Sequence, residues 1–391
     1  MNLDAFNQKY YVDRQNTHSI KWDMGQMKYQ RADLLPMWVA DMDFKCPDSV
    51  SDGLASDLTN GAFGYAHLDE RYYDAWIKWN QKVHNVTYDK EWLRFSDGAV
   101  SGIYQCIQAF TKNEDTIVIQ TPTYPPFRDS VINCGRNLVQ IPLIDDGQGY
   151  FTMNFEAIEE TFKAGTKMMI LCSPHNPIGR VWTKAELTRL LELCVKYDVL
   201  LLSDEVHQDL IMKGYNQLPI LSFDQKYFEH IIALNACAKT FNLAQFSHSH
   251  ILIPSVELRG IYDEFAKTLH LGGVKYLNAM ASCYAYEGGY DWLQNILAII
   301  EENYQLVVEG LKDLPIEISK LEGTYLIFVN LKHVLKGRDI EDFMINEVKV
   351  LPNFGKTFEP SYDKWVRINL ATSKANTLKF INQLVEACAC K

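Results

Sequence analysis

Residues 235–242 read Asn235-Ala236-Cys237-Ala238-Lys239-Thr240-Phe241-Asn242 and sit between two apolar runs, Ile231-Ile232-Ala233-Leu234 and Ile251-Leu252-Ile253. An ammonium at the mouth of a buried strand is costly unless it is paired. Desolvation lowers the pKa of such a lysine and leaves a nucleophilic amine, the form that builds Schiff bases with carbonyls. Taken alone, Lys239 could equally be a lysine snorkelling out of a sheet edge. Three further segments decide between these readings.

Each is an apolar run that ends on a chemically distinctive residue. Thr116-Ile117-Val118-Ile119 ends at Thr121-Pro122-Thr123-Tyr124-Pro125-Pro126, where prolines forbid a strand's continuation. Met168-Met169-Ile170-Leu171-Cys172 closes on Ser173-Pro174-His175-Asn176-Pro177, and Val199-Leu200-Leu201-Leu202-Ser203 closes on Asp204-Glu205-Val206-His207. Leu138 to Leu143 is one more strand. Helical patterns lie between them. Thr183-Lys184-Ala185-Glu186 is a capping box that starts a helix with Leu187, Leu190, Leu191, Cys194 and Val195 inward. Short apolar runs alternating with amphipathic helices predict an α/β fold with a mostly parallel sheet, whose ligands gather outside the carboxyl ends of the strands. Tyr124, Asn176, Asp204 and Lys239 all follow such ends.

Upstream, Tyr72, Tyr73, Trp76 and Trp79 share the face of a predicted helix, just after the aromatic turn Gly61-Ala62-Phe63-Gly64-Tyr65. Asp97-Gly98-Ala99-Val100-Ser101-Gly102 is a small-residue loop opening a helix with Ile103, Cys106, Ile107 and Phe110 on its apolar face. Free N–H groups and the dipole make such a start an anion site. Residues 1–35 are polar and aromatic without a clear period and read as an arm laid on another surface. Leu35 to Phe44 reads as a covered loop or a site wall. Downstream, a long helix from about Tyr290 to Leu311 leads to strands at Thr324–Val329 and Val366–Leu370. A final helix is expected to turn Leu378, Ile381, Leu384, Val385 and Cys388 inward. The predicted division is an arm over 1–45 that joins a small α+β domain, a large domain over 46–288, and a linking helix with the small domain over 289–391.

Composition bounds the function. With 391 residues, 47% of them hydrophobic and 22% charged, the chain is long enough for two domains. A net charge of -11 disfavours nucleic acid and anionic membranes as partners. No apolar span approaches membrane length, and the N-terminus does not open as a signal peptide. The nine cysteines are odd in number and scattered. Cys46, Cys106, Cys172 and Cys194 read as reduced core thiols, and Cys388-Ala389-Cys390 is too isolated to hold a metal. A cytoplasmic location is expected.

A Schiff-base lysine needs an aldehyde, and the other strand-end residues suit pyridoxal phosphate. Asp204 would pair with the ring nitrogen, Asn176 and His207 with the ring hydroxyl, and Tyr124 would stack on the ring. Ala99, Val100 and Ser101 would cradle the phosphate, and Arg367 would clamp a substrate carboxylate.

The motifs together resemble one family, the fold-type I pyridoxal-phosphate enzymes, and within it the MalY/PatB-like cystathionine β-lyases. The resemblance runs through Met37-Trp38-Val39-Ala40-Asp41-Met42-Asp43-Phe44, Phe63-Gly64-Tyr65, Thr121 to Phe127, Ser173-Pro174-His175-Asn176-Pro177-Ile178-Gly179-Arg180, Asp204 to Leu210, Lys239-Thr240-Phe241-Asn242-Leu243-Ala244, Glu322-Gly323-Thr324-Tyr325 and Val366 to Ala371. It implies an aminotransferase-like fold and a carbon–sulfur β-lyase acting on cystathionine or related S-substituted cysteines. It also implies a homodimer in which Tyr65 reaches the other subunit's cofactor phosphate. Trp38 is expected beside the substrate. The chain departs from the family at Ala238, commonly serine, and at Gln245-Phe246-Ser247-His248-Ser249-His250, where relatives run Gly-Leu. Its phosphate loop has no proline, and Thr372-Ser373-Lys374 stands for a usual Cys-Pro-Arg. His248 is the expected replacement partner for the phosphate, as an imidazolium. Two rivals share these residues: an aminotransferase, and a regulatory or binding protein that keeps the cofactor but turns over poorly.

Overall fold

The computed structural model describes residues 2–389. Seven strands form its main sheet: β1 (Leu93–Ser96), β2 (Thr116–Thr121), β3 (Asn137–Pro142), β4 (Thr166–Cys172), β5 (Leu200–Asp204), β6 (Ile231–Asn235) and β7 (Ser249–Leu252). Their order is β1-β7-β6-β5-β4-β2-β3. Pairing is parallel from β6 through to β3, and β7 runs against both of its neighbours. A parallel return needs a crossover element. The link from β6 to β7, residues 236–248, contains no helix, so the chain comes back antiparallel.

Both faces of this sheet are covered, as near-continuous apolar strands require. Ile117, Ile119, Met168, Ile170, Leu202 and Ile232 pack into one core, and the residues between them, such as Val118, Met169, Leu171 and Leu201, pack into the other. The capping box at Thr183 and Glu186 forms and starts the helix Lys184–Tyr197. Leu187, Leu190, Leu191 and Cys194 are buried, but Val195 is 43% exposed. It lies one residue, about 100°, past Cys194 around the helix, and Leu193 takes the inward place instead.

A second sheet is antiparallel, with Glu317–Ile318, Leu326–Asn330, Trp365–Asn369 and Asn353–Phe354 side by side. The strand expected from Thr324 starts at Leu326 instead. Thr324 has φ +69° and its Oγ1 accepts from the Leu326 N–H, so it is a turn residue. The helix Tyr290–Leu311 runs from the main sheet to this one, and Lys374–Ala389 packs along it. On that last helix Thr377, Phe380, Ile381, Leu384 and Ala387 are buried. The expected Leu378 and Val385 are on its flank, 39% and 37% exposed. Cys390 lies outside the described residues.

The N-terminal arm is more regular than its sequence suggests. A helix, Leu3–Tyr10, is capped by Asn2 and packs Phe6 and Tyr10 against Trp292, the tyrosine edge-on. Leu35–Pro36 then pairs with Val350–Leu351 beside the second sheet. Between them lies a fully buried ion pair, Lys21 to Asp43 at 2.9 Å, with Trp22 Nε1 donating to the other oxygen at 2.8 Å. These contacts pin residues 37–44 across the carboxyl ends of the main strands. No helix among the described residues is long and apolar enough to cross a membrane. The cysteines described are all free, with Cys106, Cys172 and Cys194 buried and Cys46 half-buried.

Candidate active site

The segment 37–44 is held by two asparagines. Asn242, with φ +59° in the left-handed region that asparagine tolerates, accepts from the Met42 N–H and donates to the carbonyls of Met42 and Phe44. Asn369 donates to the carbonyls of Val39 and Asp41. Trp38, Val39 and Ala40 thereby become one wall of a cavity of about 480 Å³.

The strand ends supply the other walls. Tyr124 follows β2, Asn176 follows β4, Asp204 ends β5 and His207 follows it, and Lys239 follows β6. All five line the cavity, with Arg367 from the second sheet. Lys239 Nζ donates to the Ala40 carbonyl at 2.8 Å, and the Tyr325 hydroxyl donates to the same oxygen at 2.8 Å. Arg367 Nη1 donates to Asn176 Oδ1 at 3.1 Å, and Nη2 donates to the Trp38 carbonyl at 2.8 Å and to Asn353 Oδ1.

These groups are charged at a cost. Burial, then the Arg367 cation, pushes the Lys239 amine down to about 8, while Asp41 and Asp204 pull it back up. Burial pushes Asp204 up to about 6, against a Val206 N–H bond and the Lys239 charge. Arg367 is pushed down to about 10, again by burial. His207 is held well below its ordinary value by burial, then by Lys239 and Arg367, so it is neutral. Two buried atoms, His207 Nδ1 and Arg367 Nε, have no hydrogen-bond partner. A native structure rarely leaves such groups unpaired.

At the far end, Gly98, Ala99 and Val100 line the cavity where the helix Ala99–Phe110 begins. Gly98 has φ +87° and offers no side-chain cap. The first-turn N–H groups therefore point at the cavity end without a cap, which suits an anion. Ser101 belongs to this turn, but its side chain accepts from Gln105 Nε2 and does not line the cavity. Ala238, Ser247 and His248 complete this end. Burial pushes His248 down to about 4, so in the cofactor-free chain it is uncharged near neutral pH, against the expected imidazolium. Tyr65 is fully exposed and lies outside its own chain's cavity.

Sequence reasoning missed several members of this site. Asn353 is brought to Arg367 by strand register, Asn353 opposite Arg367, and nothing near it in sequence marks it. Tyr325 and Asn242 stood inside quoted motifs, but their hydrogen bonds to residues 40–44 are long-range. Cys172 is the buried, free core thiol its sequence suggests, and it also lines the cavity, where its sulfur accepts from the Asn176 N–H at 3.4 Å.

Comparison with known proteins agrees with this layout. The family model described as aminotransferase class I and II matches residues 17–384. The chain belongs to that family. It is 33% identical to the cystathionine beta-lyase PatB of Bacillus subtilis, over 93% of this chain and 95% of that one. Among solved structures, cystalysin from Treponema denticola, which contains pyridoxal 5'-phosphate, superposes with TM-score 0.92 at 29% identity, over 96% and 97% of the two chains. The PLP-bound C-S lyase of Staphylococcus hominis gives TM-score 0.90 at 29% identity, over 100% and 98%. The fold is therefore that of fold-type I pyridoxal-phosphate enzymes.

The carboxyl shift at Asp204 has a measurable consequence. Its folded pKa of about 6 lies above its ordinary 3.8, so in the cofactor-free chain stability is lost as pH rises from about 4 through 6. Asp204→Asn escapes that loss. In chemical denaturation of the cofactor-free chain it should match the parent near pH 4 and exceed it by about 2 to 3 kcal/mol at pH 7. A difference that does not change with pH would contradict the assignment.

Proposed function

We propose that the chain is a pyridoxal-phosphate-dependent carbon–sulfur β-lyase, releasing a thiol, pyruvate and ammonia from cystathionine or related S-substituted cysteines. The observation that carries the lyase reading is the similarity to the cystathionine beta-lyase PatB and to PLP-bound C-S lyases, while the meeting of Lys239, Asp204 and Arg367 in one cavity that ends at an uncapped helix N-terminus supports the cofactor. The donor set fits the cofactor. The phosphate would take the first-turn N–H groups of Ala99, Val100 and Ser101. The ring nitrogen would meet Asp204, and the ring oxygen would meet Asn176 and the orphaned His207 Nδ1. When bound, the cofactor supplies an aldehyde for amine capture and a ring that takes up the electron pair left at the substrate's Cα.

The chain's own residues do the rest. Lys239 would hold the cofactor and, as a free amine, would take the substrate's Cα proton; an amine near pKa 8 is a competent base at neutral pH. Asp204, as a carboxylate, would hold a proton on the ring nitrogen. Arg367 offers its guanidinium plane to the substrate carboxylate, oriented by Asn176, Asn353 and the Trp38 carbonyl. Tyr124 would face the ring, and Trp38, which lines the cavity, would stand beside the substrate. The division into a large domain over 46–288 and a small one built from 1–45 and 289–391 belongs to the same proposal, as does a cytoplasmic location. Supporting it, residues 35–36 pair with 350–351.

Products decide between this reading and an aminotransferase. With an S-substituted cysteine, thiol and pyruvate should appear in equal amounts in the parent chain and vanish in Lys239→Ala, together with the visible absorbance of lysine-bound cofactor. A keto acid that retains the sulfur would replace the proposal with transamination. Cofactor binding with no product would leave a binding protein.

A homodimer with Tyr65 serving the partner subunit's phosphate is also proposed. Its support is the exposed strip Asn60–His67, which presents Phe63 and Tyr65 to solvent and contributes nothing to its own cavity. Mixing inactive Tyr65→Ala with inactive Lys239→Ala chains should restore activity, because one of the two sites in each mixed dimer carries neither defect. No recovery after demonstrated subunit exchange would place Tyr65 in its own subunit's packing.

A further inference from the structure

The phosphate end of the cavity is backed by a chain of uncharged polar groups. His248 Nε2 is 2.6 Å from the Tyr72 hydroxyl. The same hydroxyl bonds His250 Nε2, and His250 Nδ1 is 2.7 Å from Asn235 Oδ1. Strand pairing sets the last contact, because His250 lies opposite Asn235 across β7 and β6. Tyr72, His250 and Asn235 are each within 1% of fully buried. His248 lines the cavity beside Gly98, Ala99 and Val100, and its Nδ1 has no protein partner among the described residues.

One hydroxyl carries one proton. Tyr72 can donate to one imidazole and must accept from the other, so the two rings have opposite tautomers. Two arrangements satisfy this. With Asn235 placed as an acceptor, His250 carries its proton on Nδ1, Tyr72 donates to His250, and His248 donates through Nε2. His248 then turns a bare Nδ1 lone pair outward. With the Asn235 amide turned over, its NH₂ donates to His250 Nδ1 and His250 donates through Nε2 to Tyr72. Tyr72 then donates to His248 Nε2, and His248 carries Nδ1–H.

Two observations favour the second arrangement. Asn235 Nδ2 has no partner as placed. Oxygen and nitrogen of an amide are assigned from the network, and turning it exchanges an orphaned N–H pair for an orphaned oxygen, the commoner defect. The cavity end also suits an anion, which needs donors. The groups facing His248 add no competing cation: Tyr72 and His250 are neutral neighbours, and Asp97 is paired with Lys275 at 2.8 Å.

We propose that Asn235, His250 and Tyr72 form a neutral hydrogen-bond relay that fixes His248 as an Nδ1–H donor to the cofactor phosphate, with Tyr72 as its positioning residue. This rests on the cofactor reading above. It assigns the phosphate contact that Ala238 leaves without a hydroxyl to an uncharged imidazole.

The test has two readouts. In the cofactor-bound protein with ¹⁵N-labelled imidazoles, NMR at neutral pH should find His248 protonated on Nδ1 and His250 on Nε2. The reverse pair of tautomers, or a doubly protonated His248, overturns the relay. In cofactor-free chains, Tyr72→Phe should weaken pyridoxal phosphate binding roughly tenfold, about 1.4 kcal/mol, and leave pyridoxal binding unchanged. Adding His248→Ala to Tyr72→Phe should cost nothing more than His248→Ala alone, since Tyr72 acts through His248. Equal losses for both ligands, or additive losses, would reduce Tyr72 to a packing role and overturn the proposal. Failure of the parent chain to bind either ligand would instead remove the cofactor reading itself.

Discussion

Two cations and a carboxylate, Lys239, Arg367 and Asp204, share one buried cavity, and among the described residues none forms an ion pair with another. Each has lost water without a direct ion pair, burial outweighs the nearby opposite charges, and each is pushed toward its neutral form: the amine to about 8, the carboxyl to about 6, the guanidinium to about 10. Proteins do not keep such groups for stability, since removing an uncompensated buried charge relieves the fold. The arrangement makes physical sense when a ligand supplies the missing partners. In the proposed function an aldehyde would take the lysine, a protonated ring nitrogen the carboxylate, and a substrate carboxylate the arginine.

The rest of the molecule keeps that cavity in shape. Parallel strands deliver four of the chemical groups at the same edge of the sheet, because each strand's carboxyl end opens the same way. The second sheet delivers Arg367, and its register with Asn353 orients the guanidinium. The segment 37–44 closes the site with its backbone held by Asn242 and Asn369 and its far side anchored by the Lys21–Asp43 pair. The two sheets are thus joined by the wall of the site itself. The same physics favours the neutral donors proposed for the phosphate end. An imidazolium there would have to be charged where burial holds His248 at about 4.

Much of this was legible in the sequence, for a local reason. Strand ends are marked by residues that follow apolar runs directly, so Tyr124, Asn176, Asp204 and Lys239 could be placed without knowing how the strands pair. The capping box at Thr183 and the helix from Tyr290 to Leu311 were readable in the same way. What escaped depends on long-range register or on the shape of a packed face. The antiparallel run of β7 follows from a missing crossover helix. Asn353, Tyr325 and the chain from Asn235 to His248 are assembled from separate segments. Val195, Leu378 and Val385 fit the apolar period yet sit on the flanks of their helices, where period alone does not fix the boundary of the buried stripe.

The most direct test of the account is the titration of one amine. In the cofactor-free chain, the pH dependence of Lys239 modification by an amine-selective reagent, compared with Lys239→Arg to isolate the site, reports its pKa. The account predicts a midpoint near 8, set by burial and the neighbouring Arg367. A midpoint near the ordinary lysine value of 10.5 would mean that the amine is solvated, and that the cavity is not the desolvated site on which the assignment of Lys239 depends.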